Sequence, residues 1–372
     1  MKLRLVLLLL IWGVVLGVTH AHDASGVSDE RFARLAKGVN ITRWFWLNDD
    51  QSEKHYRNYV SDQQLQDIRV VGFTHVRLAV DPLYLLNEAE PDQINGQRLD
   101  FLDAAVARIV AHDLAVIVDI HAWEEDFKNK LMADTDFQQA YITMWQTLAA
   151  NLSNTDPEMV FLEVMNEPAP DDPTIWPPLQ ERIAAGMRVG APLHTIIVGG
   201  PVWNNISGLL QLDQLDDPNI VYNFHFYDPF IFTHQGASWV KDFAVFHDIP
   251  YPSTNGRCGT LPDYGDPKNE WAAWYCNNDT WDAAHIDSAV KEAVDWAAER
   301  GVRLTVNEFG VTPLVAPPAD RLQWFRDVHT VFEKYGIGWT LWGYDDGLGL
   351  DYVDRGSMDE SVLKALGMKV AK

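Results

Sequence analysis

Met159-Val160-Phe161-Leu162-Glu163-Val164-Met165 runs directly into Asn166-Glu167-Pro168. The first seven residues are short, apolar and partly β-branched, which predicts a buried parallel strand over Met159–Met165. Polar residues follow at once, so they sit at the carboxyl end of that strand. Segments of the same kind lie on both sides. They predict strands at Gly38–Phe45, His75–Val80 and Ala115–Ile120 before it, and at Thr195–Gly199, Ile220–Phe226, Arg303–Asn307 and Ile337–Trp342 after it. Helical runs separate them. Asp100–Ala111 puts Phe101, Leu102, Ala105, Ile109 and Val110 on one side. Ile286–Arg300 repeats the pattern with Val290, Ala293, Val294 and Ala297, then stops at Gly301. Ser61 with Gln64 forms a capping-box pattern, and Arg321–Lys334 and Glu360–Val370 supply the last helices. Eight alternations predict an α/β fold, a single-domain (β/α)8 TIM barrel. The competing open doubly wound sheet carries a Gly-rich turn after its first strand, and Gly38-Val39-Asn40-Ile41 is not one.

The rhythm breaks once, after strand 6. Between Pro229 and Ile286 lies a long insertion rich in Gly, Pro, Asn and aromatics. A loop that follows a barrel strand begins on the catalytic face, and loops this long are usually functional. The chain's two cysteines, Cys258 and Cys276, both fall inside it. Lys2 and Arg4 followed by the apolar run Leu5–Val18 and Thr19-His20-Ala21 predict a signal peptide over residues 1–21. The catalytic domain then occupies residues 22–372, exported to the periplasm or the exterior. That compartment is oxidising, so the cysteine pair suggests a disulfide, with two free thiols as the alternative. The formal charge is -24 over 372 residues. Such a surface repels phosphate backbones and anionic membranes, which argues against nucleic acid as a partner. It suits a neutral polymer, and it equally serves to keep an exported protein soluble.

Polar side chains gather at the ends of the expected strands: Arg77, Asp119 to Trp123, Asn166 and Glu167, His225 and Tyr227, Asn307 and Glu308, and Trp342. On a barrel that end is the catalytic face. Glycoside hydrolysis needs one carboxylic acid to protonate the leaving oxygen and one carboxylate facing the anomeric carbon. Glu167 on strand 4 and Glu308 on strand 7 meet that need, and a lone strand-end Glu without such partners would be read as a loop ion pair. Glu163 shares the parity of Glu167 and is read as a buried structural acid paired with an arginine. Asp345-Asp346-Gly347 is read as a solvated turn, because its spacing is not that of a calcium loop. No zinc motif, phosphate loop or nucleophile elbow is present in the sequence, and no metal or cofactor is expected.

With these residues in place, the sequence resembles glycoside hydrolase family 5 from Gly38 to about Gly347. All eight functional positions of the family's motif have counterparts: Arg77, His121, Asn166, Glu167, His225, Tyr227, Glu308 and Trp342. The resemblance implies a retaining β-glycosidase with Glu167 as acid/base and Glu308 as nucleophile. It implies that Arg77 and Tyr227 lower the pKa of Glu308, and that an anionic Glu308 together with burial raises that of Glu167. Asn166 would hold the sugar 2-hydroxyl, His121 and His225 would orient the sugar or neighbouring groups, and Trp342 would stack on the pyranose face. Trp44, Trp46, Trp123 and Trp203 are either further platforms or core, and Trp239, Trp271, Trp274 and Trp281 on the insertion favour ligand contact. Phe226-Tyr227-Asp228-Pro229-Phe230 and Thr233-His234-Gln235-Gly236-Ala237 resemble bacterial endoglucanases, so an endo-acting β-1,4-glucanase is the expected activity. A β-mannanase, a β-1,3-glucanase, an exopolysaccharide hydrolase and a catalytically silent sugar-binding barrel are the alternatives. The expected partner is a polysaccharide or oligosaccharide, and the expected state is a monomer free of the membrane after signal cleavage.

Overall fold

A computed structural model describes residues 26–370 apart from 88–89, 255, 260, 278–279 and 351–355. The expected signal peptide, residues 1–21, lies outside the described residues. Eight strands close into a parallel barrel: β1 (Lys37–Phe45), β2 (His75–Val80), β3 (Ala115–Ile120), β4 (Val160–Glu163), β5 (Thr195–Gly199), β6 (Ile220–Phe226), β7 (Arg303–Phe309) and β8 (Gly338–Leu341). Each pairs with its neighbours in chain order, and the seam closes where β1 meets β8 through Lys37–Trp339, Gly38–Thr340 and Val39–Leu341. The chain is therefore the single-domain (β/α)8 barrel that the sequence predicts. A small antiparallel hairpin, Leu86–Asn87 with Glu90–Ile94, lies outside the barrel.

Burial explains the strands. Every residue of β2, β3, β5 and β6 is buried, as parallel strands covered on both faces require. Alternate residues divide the work. Val76, Leu78, Val116, Val118 and Ile120 face the helices in the main core. Ala115, Ile117, Phe161, Ile197 and Val221 fill the amino end of the barrel with Leu35 and Met159. This apolar plug excludes water from below, so the polar residues above it communicate with solvent only at the carboxyl end.

The helices obey their sequence signals. Ser61 and Gln64 make the reciprocal capping-box bonds. The helix Ala283–Arg300 begins where the Asp282 side chain accepts from the backbone of Ala284 and His285, and ends at Gly301 with φ of 64°. Three details differ from expectation. Only one helical turn, Ile206–Leu209, follows β5. The last helix is Glu360–Ala365, shorter than Glu360–Val370. Asp345 is not on a solvated turn: it is buried, and its carboxylate accepts from the backbone of Thr42 and Arg43 and from the hydroxyls of Thr42 and Tyr59. It clips the loop after β8 onto β1, and a turn rich in acids is buried because those donors converge on it. Among the described residues no helix is long and apolar enough to cross a membrane.

The insertion after β6 has its own order. It contains the helix Lys268–Asn277, and Cys258 is bonded to Cys276 on that helix.

Candidate active site

Arg77 organises the carboxyl end of the barrel. It is fully buried on β2, and its guanidinium donors fan out to several strands. Nε and Nη2 grip Glu163 of β4 at 2.8 and 2.8 Å. Nη1 reaches Asn40 of β1 at 3.0 Å and Glu308 of β7 at 2.7 Å. Nη2 also meets Asn166 at 3.0 Å and lies 3.0 Å from Asp119 of β3. Glu163 receives a further bond from Asn307 at 2.7 Å. It is the arginine-paired structural acid that its parity suggested.

Two local irregularities aim the glutamates. On β7 the pairing with β6 slips, so that Phe224 faces Val306 while His225 faces Glu308. The extra residue is Asn307. A bulge re-aims the side chain that follows it, and here both Asn307 and Glu308 contact the interior network. On β4 the regular strand ends at Glu163, short of Met165, although Val164 and Asn166 still donate to Ile197 and Ile120 at 3.0 and 2.9 Å. Glu167 then takes a left-handed conformation with φ of 42°. Non-glycine residues are rarely found there. The Lys128 ammonium donates to the Glu167 carbonyl at 3.1 Å.

The two glutamates meet across His225. Its Nδ1 lies 2.8 Å from Glu167 and 3.5 Å from Glu308, and one carboxylate oxygen of each glutamate falls within 4.8 Å of the other. Glu308 also accepts from the Tyr227 hydroxyl at 3.0 Å. Asn166 donates to His121 Nε2 at 3.1 Å, and His121 Nδ1 donates to Asp119 at 2.7 Å. An amide nitrogen carries two hydrogens, so Asn166 retains one for a ligand. Trp342 stacks on His121 with centroids 5.3 Å apart, and Trp46 packs edge-on against Trp342 at 5.8 Å and against Trp123 at 5.9 Å. All eight sequence-predicted residues therefore converge on one face.

Trp44, by contrast, is core: fully buried, with its indole N–H donated to the Tyr56 carbonyl. Trp123 and Trp203 are exposed near the site's rim, and Trp239 is exposed on the insertion. Trp271, Trp274 and Trp281 join Phe230, Phe243 and Tyr275 around a groove of about 430 Å³ whose wall begins at Asp228, the residue after Tyr227. Sequence reasoning missed Asn40 and Lys128 altogether and gave Asp119 and Asn307 no role. Position at strand ends had singled out the last two, but not what they touch.

Residues 36–347 match the family model Cellulase (glycosyl hydrolase family 5). The chain belongs to glycosyl hydrolase family 5. It is 28% identical over 352 residues to Endoglucanase 3 of Fibrobacter succinogenes, covering 90% of this chain and 53% of that protein, so it spans about half of that relative's length. It is 27% identical to Endoglucanase C of Acetivibrio thermocellus, covering 82% of this chain and 90% of the relative. A solved hyperthermophilic endo-β-1,4-glucanase in complex with substrate superposes with a TM-score of 0.71 at 26% identity, over 91% of this chain and 98% of that one.

The electrostatics of this family 5 site are governed by burial. One guanidinium faces Asp119, Glu163 and Glu308. Desolvation pushes Asp119 and Glu308 up to about 7, and raises Glu163. Arg77 does lower Glu308, as the sequence implies, but the carboxyl nevertheless ends above its usual range. Burial outweighs His225 and Arg77, and Glu167 and Asp119 push the same way as burial. Glu167 is also pushed up to about 7 by burial, against the pull of Lys128 and Arg77. Two such carboxyls this close share one proton near neutral pH. Glu308 accepts from both Arg77 and Tyr227, whose bonds favour an anion, and Glu167 has no equivalent pair. The charge therefore belongs on Glu308 and the proton on Glu167. Burial depresses His225 to about 4 and His121 further, so both imidazoles are neutral. His225 Nε2 has no partner among the described residues. A buried lone pair is tolerated better than a buried N–H, so the His225 proton sits on Nδ1 and points at the glutamates.

Proposed function

We propose that this family 5 chain is an exported, retaining endo-β-1,4-glucanase in which Glu308 is the nucleophile and Glu167 the acid/base. The observation that carries the mechanism is the glutamate pair, with oxygens within 4.8 Å across His225. Retaining enzymes hold their carboxyls about 5 Å apart, whereas inverting enzymes leave room for water at roughly 6.5–9.5 Å.

In the first step a Glu308 oxygen attacks the anomeric carbon from the face opposite the leaving group. The glycosidic C–O bond breaks, its electron pair stays on the leaving oxygen, and Glu167 protonates that oxygen. Esterification removes the Glu308 charge. Arg77 donates to Oε1 and Tyr227 to Oε2, so together they fix the carboxylate before attack, and the donor on the oxygen that does not attack keeps its bond through this change. In the second step water gives a proton to Glu167 and its oxygen attacks the anomeric carbon. The ester C–O bond breaks and Glu308 leaves as carboxylate. Two inversions give net retention. The remaining amide hydrogen of Asn166 binds the sugar 2-hydroxyl, and Trp342 lies under the pyranose ring.

The preference for a β-1,4-glucan rests on relatives called endoglucanases and on the open, aromatic-rich face, while substrate choice resides in loops rather than in the fold. Export rests on the charged and apolar leader around Lys2, Arg4 and Leu5–Val18. A reducing-sugar assay over cellulosic, mannan, β-1,3-glucan and bacterial exopolysaccharide substrates should give its highest rate on soluble β-1,4-glucan, with a rapid fall in viscosity. Proton NMR of the first product should show the β-anomer. An initial α-anomer overturns the retaining assignment, and no activity on any member of the panel overturns the enzyme in favour of a silent binding barrel.

A further inference from the structure

Lys128 lies outside the family-motif positions quoted above, yet its side chain enters the site from a different element. It sits on the helix Glu125–Ala133, which buries Phe127 and Leu131 in the main core, with Phe127 packed on Phe137 and Tyr141 of the next helix, and this anchors the turn that carries Lys128. The ammonium reaches the backbone carbonyl of Glu167 at 3.1 Å. That carbonyl belongs to a residue with φ of 42°, a conformation that is strained for a side chain with a Cβ. A charged donor on the carbonyl offsets this strain in the folded state and restricts rotation of the peptide that carries the acid/base.

The charge has a second effect. Burial pushes the Lys128 ammonium below its usual range, against the pull of Glu167, Glu308, Asp119 and Glu125. The charged or titratable groups facing Glu167 itself are Lys128, Arg77, His225, Glu308, Asp119 and Tyr227. Arg77 is saturated by Glu163, Asp119 and Glu308, and His225 is neutral. Lys128 is the foremost of the charges that favour the Glu167 carboxylate, ahead of Arg77. We propose that Lys128 is a positioning residue for the acid/base: it holds the Glu167 peptide in its left-handed turn, and its ammonium sets the alkaline edge of activity. This rests on the reading of Glu167 as acid/base.

The signs of the two effects are opposite, which makes them separable. Loss of the clamp lets the carboxyl wander and lowers catalysis. Loss of the cation removes a force that favours the Glu167 carboxylate, so its proton persists to higher pH. Lys128→Met keeps the length of the side chain and removes both. For a β-1,4-linked oligosaccharide, whose leaving group needs protonation, kcat/KM should fall about 10- to 100-fold, the scale of a misplaced catalytic group. For a dinitrophenyl β-cellobioside, which needs little acid assistance, kcat/KM should stay within about twofold. The alkaline limb should move up by about one unit. KM for the oligosaccharide should change little, and Lys128→Arg should restore the limb and most of the rate.

The same two substrates on Glu167→Ala test the underlying reading. That variant must itself lose the oligosaccharide and keep the activated glycoside, and adding Lys128→Met to it should cost nothing further. A Glu167→Ala enzyme that loses both substrates equally removes the acid/base assignment and this proposal with it. If Glu167→Ala behaves as stated, an unmoved alkaline limb in Lys128→Met, or equal losses on both substrates, overturns the role of Lys128 alone. Circular dichroism and thermal melting of Lys128→Met should match the parent, and a melting point well below it would mark a merely structural residue.

Discussion

At the scale of single residues, the two glutamates should fail in different ways. Glu308→Ala removes the attacking oxygen, so turnover should drop roughly 10⁴-fold or more. Azide, small enough for the vacated space, should restore part of it and yield a glycosyl azide of inverted anomer. Glu167→Ala should cost about 10²–10⁴ in kcat/KM on oligosaccharides and little on activated aryl glycosides, and azide should give the retained anomer. Exchange of these two phenotypes would reverse the roles. The pH profile of kcat/KM should be a bell centred near 7, because both carboxyls are raised by burial and share one proton. Tyr227→Phe deletes a donor to Glu308, so its anion is less favoured and the acid limb should move upward while the alkaline limb stays. A fixed acid limb would mean that the phenol does not tune the nucleophile. The residues of the site were legible because chemistry demands them at strand ends. Their protonation was not, since it depends on how completely Asp119, Glu163 and Glu308 are withdrawn from water around one arginine.

At the scale of elements, the insertion carries the sharpest consequence. Cys276 lies on the helix Lys268–Asn277 together with Trp271 and Trp274, and its bond to Cys258 ties that helix to the loop before it. These two indoles are among the more exposed large side chains, and they wall the groove that starts beside Tyr227. Ordering them in advance reduces the entropy lost when a long glycan binds. The variant Cys258→Ser, Cys276→Ser should therefore keep most of its melting temperature, because Phe246, Ile249, Tyr251 and Tyr275 hold the insertion in the main core whether or not the bridge is closed. It should show a higher KM for long β-1,4 oligosaccharides and an unchanged KM for a short aryl glycoside. Equal losses on both would assign the bridge to stability instead. β2, β3, β5 and β6 matched their sequence boundaries because a strand buried on both faces is one apolar run. β4 and β7 did not. There the backbone leaves regular pairing to aim Asn166, Glu167 and Glu308, and contacts across the barrel, not local propensity, decide where the ladder ends.

At the scale of the whole molecule, the site is a cost to the fold. Asp119, Glu167 and Glu308 bind protons more tightly folded than unfolded, since burial raises each to about 7. Such groups favour the folded state below the ordinary carboxylate range, and that contribution fades as pH rises through about 7. Glu308→Gln keeps the shape and removes one buried charge. It should raise the melting temperature at about pH 8, by on the order of 2 kcal/mol of stability, and change it little at about pH 4.5. Calorimetry at the two pH values checks this, and destabilisation at the higher one would mean that the Arg77–Glu308 bond outweighs desolvation. The seam between β1 and β8 sets a further condition, in time rather than in energy. Asn40 on β1 donates to the carbonyls of Asn307 and Leu341, and it is the same Asn40 that accepts from Arg77. The first barrel strand to be synthesised therefore waits for the eighth. A nascent chain that has not yet extended through Leu341 holds both glutamates but lacks Trp342 and has no closed ring to align them. This hydrolase can become active only after its eighth barrel strand has been translated.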